Sequence, residues 1–201
     1  MSLLRMVGLR GMAGAIVLAS LGGCDGGNMK DITVGGHVFR VPRAHLIKEE
    51  LPWLPTGQPE HLRFVINPEA PLQEQMSVGV DPSPGTCQPS APPASNMLEW
   101  ACKLGQGGSN RVQGAFKPEK VFDRPDDKTH WGYKVPDGAG GYREVAGCYA
   151  LSDGKTGLCR SINSYKDLIY SVGFRDEEIT RLPEIWTKVD ELLSSWEKPA
   201  H

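Results

Sequence analysis

The sequence predicts an α+β fold, a mainly antiparallel β-sheet with a C-terminal amphipathic helix packed on it. Two observations predict it. Short runs rich in Val, Ile, Phe and Tyr recur along the chain, punctuated by Gly, Pro and Asn, which is the pattern of hairpin-connected strands. Near the end, Ile185, Trp186, Val189, Leu192, Leu193 and Trp196 recur at helical spacing, an apolar stripe with a period near 3.6.

The elements follow in order. Asp31 to Val41 (DITVGGHVFRV) reads as a hairpin turning at Gly35-Gly36, because two glycines suit a tight turn. Pro42 ends it, and Arg43 to Leu51 reads as a short helix closed by Pro52 and Pro55. His61 to Asn67 and Met76 to Val80 read as antiparallel partners. Pro82 to Ala94 holds five prolines in thirteen residues and reads as a loop. Leu98 to Leu104 and Arg111 to Phe116 read as strands, with Gly105 to Gly108 as a turn between them. Asp123 to Gly141 is polar, charged and turn-rich, so it reads as a long loop carrying Trp131 and Tyr133. Tyr142 to Ala150, Gly157 to Asn163 and Asp167 to Phe174 read as a three-stranded meander. In the final helix Pro183 suits the first turn, and Glu184 sits near the positive end of the dipole. Glu184, Lys188, Asp190, Glu191 and Lys198 are assigned to its polar face. That face mixes both charges, which favours packing on the sheet over lying on a membrane.

The first 23 residues have a different character. Arg5 and Arg10 are their only charges, and Gly11 to Gly23 carries none. The apolar stretch falls short of the roughly 20 residues needed to span a bilayer, so residues 1–23 read as an export signal. The stretch ends in Leu21-Gly22-Gly23-Cys24, which resembles the lipobox of bacterial lipoproteins. There the small residues admit the peptidase, and the cysteine thiol takes a diacylglyceryl group. Each buried methylene of such an anchor contributes about 0.8 kcal/mol. The expected organisation is therefore a signal at 1–23, lipidation at Cys24, a polar tether at 24–30 and a single domain at 31–201. The expected location is the cell envelope, facing the periplasm, with inner or outer membrane left open. The mature chain then carries 20 basic and 24 acidic residues, a net charge of −4. Export and that balance argue against a nucleic-acid partner.

With Cys24 assigned to lipid, Cys87, Cys102, Cys148 and Cys159 remain. An even count in an oxidising compartment reads as disulfides. Three pairings are open, and the local ones, Cys87–Cys102 and Cys148–Cys159, are favoured. A zinc site is the rival, but there is no CxxC pair and the spacings fit no zinc module.

The search for catalytic chemistry yields little. No GxSxG, HExxH, P-loop or dinucleotide fingerprint occurs. The histidines share no compact ligand spacing, Asp126-Asp127 with His130 reads as a solvated loop, and Glu49-Glu50 and Glu177-Glu178 are neighbours in sequence only. No catalytic residue, metal or cofactor is assigned, and the expected class is a binding protein rather than an enzyme. Trp131, Tyr133 and Tyr142, with Trp53 behind them, are the candidate partner-binding residues, since aromatics in a charged segment can anchor an interface. Folding back onto the core is their alternative role.

One segment carries a family resemblance. Val34-Gly35-Gly36-His37-Val38-Phe39-Arg40-Val41-Pro42 resembles the start of immunity lipoproteins that accompany type VI secretion phospholipase effectors. In those, a lipobox or signal precedes a GG-x-x-F-x-V/I-P segment and a mostly β domain. The resemblance implies a periplasm-facing protein that binds a cognate phospholipase toxin and neutralises it. It carries no catalytic residues across. A structural or assembly lipoprotein of the envelope is the alternative.

Overall fold

The computed structural model describes residues 28–47, 61–87, 96–104, 115–124, 126, 128–152 and 156–199. Its centre is a seven-stranded antiparallel sheet, with a two-stranded hairpin beside it and a long helix closing the chain.

The hairpin pairs β1 (Met29–Val34) with β2 (His37–Pro42), Val34 opposite His37. Gly35 and Gly36 have φ of +55° and +87°, a left-handed pair that only glycine adopts without strain. Val34, Phe39 and Val41 project into the core. The helix expected over Arg43 to Leu51 is instead a single 3-10 turn, Arg43–His45. Leu46 then bridges to Phe64, and that pairing holds the backbone extended where a helix would have to continue. The rest of that expectation, from residue 48 on, lies outside the described residues.

β3 (Leu62–Val65) pairs with β4 (Ser77–Pro82) as the sequence predicts. The proline-rich segment begins with one helical turn, α1 (Ser83–Thr86), before 88–95, which lie outside the described residues. The strand expected at Leu98 to Leu104 is a helix, α2 (Asn96–Leu104). Its nine residues include no β-branched side chain and several strong helix formers. Met97 and Ala101, four apart, are its buried face, and Glu99 pairs with Lys103 at 2.6 Å on the outside.

The polar stretch expected to be a loop contributes a strand. β5 (Glu119–Phe122) pairs with β6 (His130–Pro136). In β6 the alternate residues Trp131, Tyr133 and Val135 are buried, so the period-two pattern outweighs the surrounding polarity. β7 (Tyr142–Ala150), β8 (Gly157–Tyr165) and β9 (Leu168–Arg175) form the expected meander. The spatial order is β3-β4-β9-β8-β7-β6-β5. β4 thus inserts beside β9, which places the N-terminal β-pair at the far edge.

After a 3-10 segment (Asp176–Arg181) comes α3 (Leu182–Trp196). Ile185, Trp186, Val189, Leu193 and Trp196 are buried, packed on one sheet face. The Trp186 indole N–H donates to Ser161 Oγ at 3.2 Å, and the Trp196 ring meets Phe64 edge-on at 5.0 Å. Asp190, expected on the polar face, is turned inward and accepts a hydrogen bond from Tyr170. No helix among the described residues is long and apolar enough to cross a membrane.

Both local disulfides form. Cys87–Cys102 joins the end of α1 to α2, and Cys148–Cys159 links directly opposed residues of β7 and β8.

Candidate functional site: the open face of the sheet

Every strand of the sheet presents alternate residues to its two faces. One face carries the core and is covered by α3. On the other, α2 covers only part of β7 and β8, where a Cβ at Gly147 would stand 3.4 Å from Met97 Cε. The rest of that face opens into a broad groove lined by Arg63, Gly79, Tyr149, Leu158, Arg160, Ser171 and Arg175, and the same groove continues to Arg181 and to Glu184, Ile185 and Lys188 of α3.

Register places these residues together. One row across the strands runs Gly147, Arg160, Gly173, Ser77, and the next includes Ile162, Ser171, Gly79 and Arg63. The floor is therefore glycine and serine, interrupted by guanidinium groups. It is close-fitting where strands meet: a Cβ at Gly173 would lie 3.0 Å from Ser77 Oγ. Arg160 Nη2 donates to Ser171 Oγ at 2.9 Å, which lays that side chain across the β8–β9 boundary. Arg175 Nε donates to the Gln73 carbonyl at 3.1 Å. None of the three arginines is ion-paired to a carboxylate among the described residues. On the rim, Asp81 is engaged by His61, and Glu178 and Glu184 are engaged by Arg181.

The β3–β4 loop forms one wall, and its own amides hold its shape. Asn67 Nδ2 donates to the Glu74 carbonyl, while Asn67 Oδ1 accepts from the Met76 N–H. Gln75 Nε2 donates to the carbonyls of Pro68 and Ala70. At the crest of this braced loop Leu72 is 82% exposed, the most exposed large apolar side chain among the described residues.

The core-side polar clusters serve structure. His37 is bonded to Glu197 through Nδ1 at 2.7 Å and to Asp167 through Nε2 at 2.5 Å. Desolvation pulls its pKa down, but these two carboxylates more than offset that and raise it. Glu197 also accepts from Tyr165 and Lys166. Burial opposes its ionisation, yet the donors Lys166, His37 and Tyr165 outweigh burial and bring its pKa to about 2. The cluster ties the β1–β2 turn to the end of α3. A second cluster centres on Asp176, which accepts from the Tyr133 hydroxyl at 2.7 Å and the Trp131 N–H at 3.2 Å, with Lys120 at 3.2 Å. Cys148, Cys159 and Asp176 are the one grouping of metal-type donors among the described residues. Their two sulfurs are bonded to each other and offer no thiolate.

No family model and no curated protein matches the chain. Among solved structures, an immunity protein of the Stenotrophomonas maltophilia type IV secretion system is similar, at 10% identity and a TM-score of 0.40. The match covers 86% of this chain and 94% of that one. A superposition that loose transfers neither a role nor a residue correspondence.

The residues singled out from sequence are scattered. Cys24 and Trp53 lie outside the described residues. Trp131 and Tyr133 are buried around Asp176, where burial and the adjacent carboxylate hold the Tyr133 hydroxyl far above its usual pKa. They belong to the core, so they offer a partner no surface. Tyr142 is 58% exposed, at the start of β7 opposite Pro136. The sequence reading missed the three arginines and Leu72. The signal was present in the strands: Arg63 falls between Leu62 and Phe64, and Ser171 and Gly173 alternate with Tyr170, Val172 and Phe174. What sits between inward positions lines the outward face.

Proposed function

We propose that this chain is an envelope-anchored immunity lipoprotein that binds and neutralises a phospholipase effector delivered by type VI secretion. The observation that carries the reading is the open sheet face: a pre-formed, arginine-bearing surface on a scaffold braced by two disulfides. A protein that acts by holding another protein needs such a surface, already shaped before the partner arrives. The lipobox-like Leu21-Gly22-Gly23-Cys24 supports the location, and the segment from Val34 to Pro42 supports the family. A lipid anchor at Cys24 keeps the inhibitor at the membrane a phospholipase attacks and raises its effective concentration there.

The test is protection. Cells lacking the gene are exposed to the parental strain with an active secretion system, with and without the chain supplied from a plasmid. Selective killing of the cells that lack it, reversed by the wild-type chain and weakened by Cys24→Ala, is the expected result. Equal survival with and without the chain refutes the proposal. A constitutive envelope complex recovered in place of a toxin then favours an assembly role.

A further inference from the structure

We infer that the partner is held by the β3–β4 loop and the adjoining arginines, with Leu72 entering an apolar cleft whose margins carry carboxylates. The inference rests on the proposed immunity function and specifies its surface.

Three observations converge. Leu72 stands 82% exposed on a loop that the chain has otherwise organised with care. Five side chain–backbone hydrogen bonds from Asn67, Gln75 and Arg175 fix the backbone from Pro68 to Met76. A loop braced in this way loses little conformational entropy on binding, which is what makes an anchor effective. The second observation is continuity. Arg175 both holds the loop, through Gln73, and lines the groove beside it, so knob and groove form one surface. The third is charge. Arg63, Arg160 and Arg175 face the groove without carboxylate partners among the described residues, whereas Asp81, Glu178 and Glu184 on its rim are already engaged. The surface therefore presents guanidinium groups not engaged by carboxylates, and a carboxylate matches that fork in geometry and charge. Glu74 and Glu177 also line the groove and set the limit on how acidic the partner's matching edge can be.

An enzyme that hydrolyses lipids must offer an apolar cleft to the acyl chains of its substrate. A leucine presented on a rigid crest fits that chemistry, and the arginines clasp the acidic margin around it. Occupying the cleft excludes lipid without any reaction by this chain.

The experiment uses the full-length chain in the same protection assay. Prey lacking the gene receive wild-type, Leu72→Asp, Leu72→Ser, Leu72→Met, the pair Arg160→Glu with Arg175→Glu, or Val121→Asp. Immunoblotting and thermal melts of each variant establish that it is present and folded. A central anchor is expected to contribute about 30-fold in affinity. Prey with Leu72→Asp or Leu72→Ser are therefore expected to die like prey without the gene, as are those with both arginines reversed. Leu72→Met keeps the apolar knob and is expected to protect, and Val121→Asp, on the edge strand β5 at the far side of the sheet, is expected to protect fully. If wild type protects and the Leu72 and arginine variants protect equally well, the surface is wrong while the immunity function stands. If Val121→Asp alone abolishes protection, the interface lies at the β5 edge and the proposed surface is overturned. If wild type itself fails to protect, the immunity function falls, and the surface assignment with it.

Discussion

Asp190 is an acid the fold holds against its preference. It lies on α3, four residues after Trp186 and three before Leu193, both of which are buried. Desolvation raises its pKa from 3.8 to about 6, a rise only partly countered by the hydrogen bond from Tyr170. Its buried Oδ1 has no hydrogen-bond partner among the described residues. A carboxyl whose folded pKa exceeds its unfolded value binds more protons when folded. Between about pH 4 and 6 the stability of the native state therefore falls as pH rises. At about 1.36 kcal/mol per pKa unit, the rise corresponds to roughly 3 kcal/mol lost above pH 6. The carboxyl is only partly buried, so solvent screening reduces this to about 1–2 kcal/mol. Asp190→Asn keeps an acceptor for Tyr170 and removes the charge. Near pH 7.5 it is expected to stabilise the domain by about 1 kcal/mol, since the unpaired amide offsets part of the gain. Near pH 4 the gain disappears, because the wild-type carboxyl is then neutral as well. Urea unfolding of both proteins between pH 4 and 8 measures the difference. A stability difference that does not change with pH refutes the assignment of a buried, raised-pKa carboxylate.

Three further outcomes are expected. Gly35→Ala forces a left-handed φ of +55° and sets a Cβ 2.8 Å from Leu168 Cδ2, whereas Gly36→Ala meets nothing within 4 Å. Both carry the conformational cost of about 1 kcal/mol, so a larger loss at Gly35, read from urea midpoints, isolates the contact with the core. Replacing Cys148 and Cys159 together by alanine releases a constraint worth about 3 kcal/mol and lowers the melting temperature. An unchanged melt shows that this bridge does not constrain the unfolded chain. The ion pairs of His37 with Asp167 and Glu197 raise its pKa, so their contribution is full below pH 6.5 and is lost as pH rises through the folded pKa. An NMR titration of the His37 ring is expected to give a midpoint above 6.5, and a midpoint at or below it removes the clamp.

Much of the fold was legible because alternation survives wherever one face of a strand is buried. Ile32 and Val34 before the Gly-Gly turn, Leu62 and Phe64, and the run from Leu168 to Phe174 all carry it, and the apolar stripe of α3 is equally plain. β6 and α2 were illegible for two different reasons. In β6 the inward residues Trp131, Tyr133 and Val135 alternate correctly, but Gly132 and Lys134 between them and the charges before them gave the segment the composition of a loop. In α2 the apolar run is short enough to fit either period, and among its described side chains only Met97 and Ala101 are buried. In β6 the composition masks the period, and in α2 the run is too short for period to decide, so that the helix propensities of its residues carry the signal.

The candidate site was illegible for a different physical reason. An open sheet face is assembled from strands distant in sequence, and its residues are the ones that a search for core positions discards. Arg63 and Arg160 lie 97 residues apart in the chain and reach one groove only because β4 and β9 stand between β3 and β8. No local motif encodes that order, which is set by β4 pairing with β9 across a separation that holds both α1 and α2. Leu72 is hidden more simply: a single leucine in a polar loop is ordinary in sequence. It becomes informative only when the hydrogen bonds of Asn67 and Gln75 show that the loop is held in place while its apolar tip is left in water. A braced backbone under an exposed apolar side chain is a knob that can enter a partner without first being ordered. That coincidence directs attention to this end of the groove and away from the buried aromatics Trp131 and Tyr133.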